Sequence, residues 1–289
     1  MTGDSVIVPA FNEERGLPLV LEELVRFFPS AEIIVVNDGS TDATERVARE
    51  FPVTVISHPV NRGYGAALKT GIAAAKHERL VFFDGDGQHD PAHIQPMLDR
   101  LDAADLVIGE RSRYSRRSPL HRVGRAVLSW LVNFLTRTRV HDINCGLRAA
   151  RRSVMLRYLG LLPDGFSFST TSTVVFAKFR RRLSFVPVHV RGRIGKSSVK
   201  LVRDGYNTLL LVIRLIALFD PLRVFLPPAF ALMALGITYG ILKYLTLPVY
   251  TGLSVGALSL FLTGLMVFFL GVVCDQIAAL RLDRFRNDD

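Results

Sequence analysis

The sequence predicts an α/β protein, a mostly parallel sheet with helices on both faces, carrying two long apolar helices at its C-terminal end. Three observations predict it. Short aliphatic runs alternate with helical patterns over residues 5–84, the rhythm of repeated strand–helix–strand units. Polar residues fall just after the strands, so Asn12, Glu13, Asp38 and Asp84 share one sheet edge, the edge where open α/β sheets bind ligands. Finally, residues 224–242 and 253–274 contain no charge, and each is near the roughly 20 residues that cross about 30 Å of hydrocarbon.

Taken in order, residues 5–9 read as the first strand, 10–14 as a loop and 17–28 as an amphipathic helix. Residues 32–37 are the second strand, followed by Asp38-Gly39-Ser40-Thr41-Asp42, where Ser40 or Thr41 can cap a helix reaching residue 51. Residues 53–57 are the third strand. Asn61-Arg62-Gly63-Tyr64-Gly65 then opens a helix through residue 75, and 80–84 is the fourth strand. That strand runs directly into Asp84-Gly85-Asp86-Gly87-Gln88, a cluster of oxygen ligands. Two close carboxylates suit Mg²⁺ or Mn²⁺, with phosphate and water completing the shell. Taken alone, Asp-Gly-Asp reads equally as a polar turn after a strand, and the rest of the chain decides.

Residues 106–109 form the fifth strand, ending in Glu110-Arg111-Ser112-Arg113. A helix expected over 120–137 puts Arg125 and Ser129 one turn apart on one face. Residues 183–190 are a late strand, and the turn Arg191-Gly192-Arg193-Ile194-Gly195-Lys196-Ser197-Ser198 closes the domain. Arginine-rich turns with glycine and serine cradle phosphate well, because forked donors and exposed amides converge on oxygen.

The 36 basic and 26 acidic residues leave a net charge of +10, and 49% of the chain is hydrophobic. Arginines cluster over 111–139 and 178–203. Beside two apolar spans, such patches fit an anionic lipid surface or a phosphate substrate better than nucleic acid, which is not expected as a partner. Arg113, Arg116, Arg117, Arg151, Arg152 and Arg180 to Arg182 read as surface, and His58, His77, His93 and His121 as exposed or capping residues; His89 reads the same way before Pro91, with metal ligation as its alternative. Cys145 and Cys274 lie too far apart for a disulfide framework or zinc site. Gly63-Tyr64-Gly65 matches neither a P-loop nor a dinucleotide fingerprint, so kinase and dehydrogenase chemistry fall away.

The first five residues show no signal-peptide pattern. The expected organisation is a catalytic domain over 1–198, an amphipathic helix lying in the membrane interface over 199–220, two transmembrane helices within 221–280 (about 222–245 and 252–275) and a tail over 281–289. Basic flanks then place the catalytic domain and both termini in the cytoplasm.

Val8-Pro9-Ala10-Phe11-Asn12-Glu13-Glu14, Val36-Asn37-Asp38-Gly39-Ser40-Thr41-Asp42, Asn61-Arg62-Gly63-Tyr64-Gly65 and Asp84-Gly85-Asp86-Gly87-Gln88, in that order, resemble family 2 glycosyltransferases of the GT-A fold, a Rossmann-like nucleotide-diphospho-sugar transferase domain. The resemblance implies that Pro9, Ala10, Asn12 and Glu13 hold a nucleoside and that Asp38 reads its base. Arg62, Gly63, Lys69 and Gly85 complete the donor site. Asp84 and Asp86 then bind the diphosphate through Mg²⁺ or Mn²⁺, with Gln88 as a further ligand.

The second half, with Arg193-Ile194-Gly195-Lys196-Ser197 and the apolar spans, resembles the polyprenol-phosphate (dolichol-phosphate) mannose and glucose synthase branch. By that resemblance Arg111, Arg125, Ser129 and Arg193 hold the lipid phosphate, with Lys196 and Ser197 on the same loop, and Asp84, Asp86, Arg111 and Arg125 form the catalytic set. One departure is Ser167-Phe168-Ser169-Thr170, where many relatives carry glutamates. The implied reaction is inverting transfer of a hexose from GDP-mannose, UDP-glucose or UDP-N-acetylglucosamine to a polyprenyl (dolichyl or undecaprenyl) monophosphate at the membrane. Its rival extends a lipid-linked or surface glycan at a sugar hydroxyl and needs a carboxylate base, for which Asp142 is the candidate. Oligomeric state stays open, a homo-oligomer included.

Overall fold

The computed structural model describes residues 3–111, 145–165, 167–192, 219–246, 254–283 and 285. Arg125, Ser129, Asp142, Arg193, Lys196, Ser197 and nearly all of the expected interfacial helix lie outside them. The chain divides into two compact units, Met1–Thr208 and Leu209–Asp289.

In the first unit the chain runs β1 (Asp4–Ala10), α1 (Leu17–Phe27), β2 (Glu32–Asn37), α2 (Thr44–Ala48), β3 (Thr54–Ser57), α3 (Tyr64–Ala74), β4 (Arg79–Phe82), a 3₁₀ turn (Pro91–His93), α4 (Ile94–Leu101), β5 (Leu106–Arg111), β6 (Arg148–Arg151), α5 (Arg152–Tyr158), α6 (Phe168–Lys178) and β7 (Leu183–Val188). The seven strands lie in the order β3-β2-β1-β4-β6-β5-β7. Val6, Ile7 and Val8 of β1 are fully buried, as expected of a parallel strand covered on both faces, which explains why its side chains do not alternate with polar ones. Helix α1 buries Leu17, Val20, Leu21 and Leu24, a stripe at helical spacing in which each side chain contributes about 1.5–3 kcal/mol of burial.

β1 pairs with β2 on one side and β4 on the other, all parallel. Chain direction through the sheet therefore reverses at β1, and the crevice outside the β1 and β4 carboxyl ends is where such sheets bind ligands. The sheet is not parallel throughout, because β6 runs antiparallel to both β4 and β5. Arg-Ala-Ala-Arg carries none of the β-branched residues that signal a strand, and sequence reasoning placed none there. Its ladder partners on both sides hold it, and it delivers Arg148 to the functional edge, opposite Phe82 and Ile108.

In the second unit, α7 (Pro221–Thr246) and α8 (Val255–Asp283) have mean hydropathies of 1.8 and 2.4 and bury only 11% and 17% of their most apolar stretches. Apolar side chains such as Phe230, Leu245, Met266 and Leu280 face outward, the reverse of a soluble helix pair. Small residues sit between the helices: a Cβ on Gly264 would stand 2.7 Å from the Ala229 carbonyl, and one on Gly236 would stand 2.8 Å from that of Ala257. Close backbone approach through small residues is how helices associate in lipid. Both helices are candidate membrane spans.

Candidate active site

The loops that leave the strands at this edge are laced to one another. After β1 the backbone turns at Asn12, whose φ of 55° lies in the left-handed region that asparagine tolerates. Asn12 N donates to Ser40 Oγ (3.0 Å), Thr41 N donates to Asn12 Oδ1 (2.9 Å) and Glu13 N donates to Thr44 Oγ1 (2.9 Å). Ser40 and Thr41 thus tie the first loop to the second and do not cap α2. That helix begins later, and Asp42 Oδ1 accepts from Thr44 N (3.0 Å). Pro9 and Ala10 form the buried end of β1 beneath this lacing.

Asp38 stands at the edge with its carboxylate turned inward, 4% exposed. Oδ1 faces His58 Nδ1 at 2.7 Å and accepts from Arg62 N at 2.9 Å, while Oδ2 accepts from Gly63 N at 2.8 Å. His58 Nε2 lies 2.9 Å from Thr70 Oγ1. His58 is therefore buried, not exposed or capping, because a carboxylate and a hydroxyl satisfy both ring nitrogens. What Asp38 holds in place is the Arg62–Gly63 turn. At Gly63, with φ 105°, and at Gly65 a Cβ would collide with the carbonyls of Asp164 and Pro163, so only glycine lets the 163–165 loop lie against α3. Lys69, about one turn further along α3, reaches Asp164 Oδ1 at 2.7 Å.

Asp84 lies two residues beyond β4, not within it. Tyr64 Oη donates to its Oδ1 at 3.0 Å, and His89 Nε2 stands 3.6 Å from its Oδ2. Gly146 lies so close that a Cβ there would run into the carboxylate. Burial pushes the Asp84 carboxyl up, but His89, the Tyr64 hydroxyl and the positive charge of Arg111 outweigh it and hold the carboxyl below its ordinary value. Asp84 is thus an anion at neutral pH. Burial first, and then the Asp84 charge, push the Tyr64 phenol well above its ordinary value, so it remains a donor.

Asp86 Oδ1 accepts from Gln88 N at 3.1 Å, across a turn closed by Gly87 at φ 73°. Gly85 and Gly16 let the first and fourth loops touch: a Cβ on Gly85 would be 3.3 Å from Pro9 O, and one on Gly16 would be 3.1 Å from Gly85 O. His89 is 4% exposed and packs edge-on to Phe83; it backs Asp84 and is neither exposed nor a cap.

Arg148, 1% exposed, donates to Cys145 O (2.8 Å), Ser172 Oγ (3.1 Å) and Thr173 Oγ1 (2.9 Å). The last two acceptors belong to a buried hydroxyl run, Ser169 to Thr173, whose Ser172 and Thr173 hydroxyls also bond back to Ser169 O. The residues that depart from glutamate after the Gly-Phe pair thus open a helix whose hydroxyls receive a buried guanidinium.

The structure brings together Pro9, Ala10, Asn12, Glu13, Asp38, Arg62, Gly63, Asp84, Gly85, Asp86 and Gln88 on one edge, with Arg111 near enough to bias Asp84. Tyr64, His89 and Gly146 also shape the Asp84 site; of these, sequence reasoning offered only His89 there, as the lesser alternative of a metal ligand. Among the described residues no three His, Cys, Asp or Glu side chains are grouped as metal ligands. The candidate residues Asp84, Asp86 and Gln88 offer two carboxylates and an amide, one of the carboxylates held ionised. Such a set fits a hard divalent cation whose shell is completed by phosphate and water.

A family model for glycosyl transferase family 2 matches residues 5–159, and one for the GtrB C-terminal hairpin matches 220–280. The chain is 37% identical over 169 residues to the polyprenol monophosphomannose synthase of Mycolicibacterium smegmatis, covering 52% of this chain and 62% of that one. It is 30% identical over 209 residues to the undecaprenyl-phosphate mannosyltransferase of Micrococcus luteus, covering 67% and 86%. Among solved structures, glucosyl-3-phosphoglycerate synthase from Mycobacterium tuberculosis, crystallised with Mn²⁺, UDP-glucose and phosphoglyceric acid, superimposes with a TM-score of 0.60 at 24% identity, over 74% of this chain and 79% of that one. That likeness shows the fold. With its laced carboxyl edge, its Asp-Gly-Asp turn and its apolar hairpin, the chain belongs to glycosyl transferase family 2 and is a glycosyltransferase.

Proposed function

We propose that this glycosyltransferase moves a hexose from a nucleotide sugar to a polyprenyl monophosphate, with inversion at the anomeric carbon. The observation that carries the reading is the union in one chain of the Asp84–Gln88 turn beyond β4, with Arg111 at the end of β5, and a hairpin of candidate membrane spans. Relatives that transfer sugars to polyprenol and undecaprenyl phosphates support it.

On this reading the loop from Pro9 to Glu13 and the turn at Arg62 and Gly63 receive the nucleoside, and Asp38 and His58 keep that turn in place. Lys69 braces the 163–165 loop beside it. Asp84, Asp86 and Gln88 hold Mg²⁺ or Mn²⁺. The cation, when bound, neutralises charge on the departing diphosphate. Tyr64 and His89 fix the Asp84 carboxylate so that its direction is set before substrate arrives. Arg111 orients the acceptor phosphate, and by the family resemblance Arg125, Ser129, Arg193, Lys196 and Ser197 share that task.

This acceptor needs no general base, since a phosphate monoester with a second pKa of about 6 is already anionic near neutral pH. Its oxygen attacks the anomeric carbon opposite the leaving diphosphate, so an α-linked donor gives a β-linked product. Basic residues at the hairpin's end, Arg281 among them, support a reading in which the catalytic unit is cytoplasmic.

The test is transfer by the purified full chain from radiolabelled GDP-mannose, UDP-glucose and UDP-N-acetylglucosamine to undecaprenyl phosphate in detergent, with and without EDTA. The expected result is one productive donor, EDTA-sensitive transfer, and loss of transfer in Asp86→Ala. Transfer only to a glycan hydroxyl overturns the acceptor, and full activity of Asp86→Ala overturns the metal site.

A further inference from the structure

The Asp84–Asp90 loop is fastened at both ends, and the residue that fastens its far end has no part in the chemistry described above. The near end continues from β4, where Phe83 N donates to Ile7 O (3.0 Å). At the far end, Asp90 divides its oxygens: Oδ1 accepts from Ala92 N (3.0 Å), capping the 3₁₀ turn, and Oδ2 pairs with Arg191 at 2.7 Å. The same guanidinium reaches back to α1, with Nη1 at 2.8 and 3.0 Å from the two oxygens of Glu23. Arg191 N donates to Gln88 O at 2.8 Å, and an antiparallel bridge joins His89 to Val190. The chain leaving β7 is thus sewn onto the Asp86–Gln88 turn by its backbone, and the Arg191 fork ties both to α1.

Packing does not do this on its own. A cavity of about 230 Å³ lies between α1 and the turn, lined by Leu19, Val20, Glu23, Gly87, Arg191 and Gly192. Gly87 has no side chain with which to fill it, and the charged fork from Glu23 through Arg191 to Asp90 spans the gap. A single exposed ion pair is weak. One planar guanidinium shared by two carboxylates on different elements adds fixed geometry to that small energy.

We propose that Arg191 is a positioning residue for the donor site: it sets the Asp86–Gln88 turn in the geometry that receives a cation-bound nucleotide diphosphate. Removing the fork leaves the backbone bonds to Gln88 and the His89–Val190 bridge in place, so the fold survives. What is lost is the lateral fixing of the turn, and Glu23 and Asp90 are left without the cation they share.

The proposal rests on the donor-site reading above, and its test does not use the acceptor. Binding of Mn²⁺ together with UDP, and with GDP, is measured by electron paramagnetic resonance on the full chain in detergent, for wild type, Arg191→Gln, Arg191→Lys and Glu23→Gln. The expected result is about tenfold weaker Mn²⁺–nucleotide binding in Arg191→Gln, equivalent to about 1.4 kcal/mol. Glu23→Gln shows a smaller loss and Arg191→Lys partial recovery. In turnover, the KM for nucleotide sugar rises while the KM for undecaprenyl phosphate is unchanged. Equal Mn²⁺–nucleotide binding by wild type and Arg191→Gln overturns the brace alone, and so does a rise confined to the lipid KM, which would make Arg191 an acceptor contact. Absence of binding by wild type with either nucleotide overturns the donor site and the brace with it.

Discussion

Asp84 is the side chain around which the edge is built, and three neighbours with different chemistry define it. Tyr64 donates to one oxygen, His89 stands beside the other, and Gly146 leaves the space that the carboxylate occupies. The glycine is the most exposing test of this arrangement. Gly146→Ala adds one methyl group where Asp84 must sit, and displacing a positioned group by about 1 Å costs on the order of 10²-fold in rate. The expected outcome is a loss of that size in kcat/KM with an unchanged unfolding midpoint by circular dichroism. Normal kcat/KM in Gly146→Ala would show that Asp84 has freedom the structure denies it.

His93 makes a second prediction at this scale. Its Nε2 accepts a hydrogen bond from His189 N (3.1 Å), so the ring must be neutral at that nitrogen. Burial lowers its pKa first; the charge of Asp90 opposes this, and the neighbouring His189, His89 and Arg191 lower it further. With the folded value below the unfolded one, the folded state binds fewer protons between them. His93 therefore contributes stability that is fully present above its ordinary value of 6.5 and lost as pH falls through the lowered folded value. The gap in melting temperature between wild type and His93→Leu should narrow on acidification from pH 7.5. A gap independent of pH would contradict the assignment.

At the scale of elements, the sequence was legible where local pattern and tertiary role agree. The aliphatic runs of β1, β2, β4 and β5 and the i, i+3, i+4 stripe of α1 appear where expected, within one or two residues. β6 was not legible, because Arg-Ala-Ala-Arg becomes a strand only through its two antiparallel partners. The hydroxyl-rich α6 was hidden for a related reason: Ser169 to Thr173 lacks an apolar stripe, and no element is read there until Arg148 is seen buried against it. In the site, the carboxylates were readable from Asp-Gly-Asp after an apolar strand. Of their supports, His89 follows on the same loop, whereas Tyr64 and Gly146 come from distant parts of the chain that only the fold unites.

The helical hairpin carries its own prediction. Gly264 faces the α7 backbone, with the Ala229 carbonyl 2.7 Å and Met233 N 2.8 Å from where a Cβ would lie. Gly264→Ile should separate the helices and cost about 1–3 kcal/mol through overpacking, visible as raised protease sensitivity of the hairpin in detergent while Mn²⁺–nucleotide binding by the catalytic unit persists. An unaltered digestion pattern would contradict close packing at this seam.

For the whole molecule, the two units divide the task by solvent. The first offers oxygen ligands, backbone donors and arginine on a sheet edge open to a water-soluble donor. The second offers apolar surface, with no charge over residues 224–242 and 253–274, suited to the membrane where a polyprenyl acceptor resides. The central claim is that the nucleophile is a phosphate oxygen, already ionised, an acceptor that calls for arginine and a cation site and for no base to deprotonate an alcohol. The most direct measurement compares acceptors that differ only at that group: undecaprenyl phosphate against undecaprenol, with the productive nucleotide sugar. The account predicts transfer to the phosphate alone, giving a β-linked product whose formation falls as pH drops below about 6, where the monoester gains its second proton. Transfer to the alcohol at a comparable rate would contradict it.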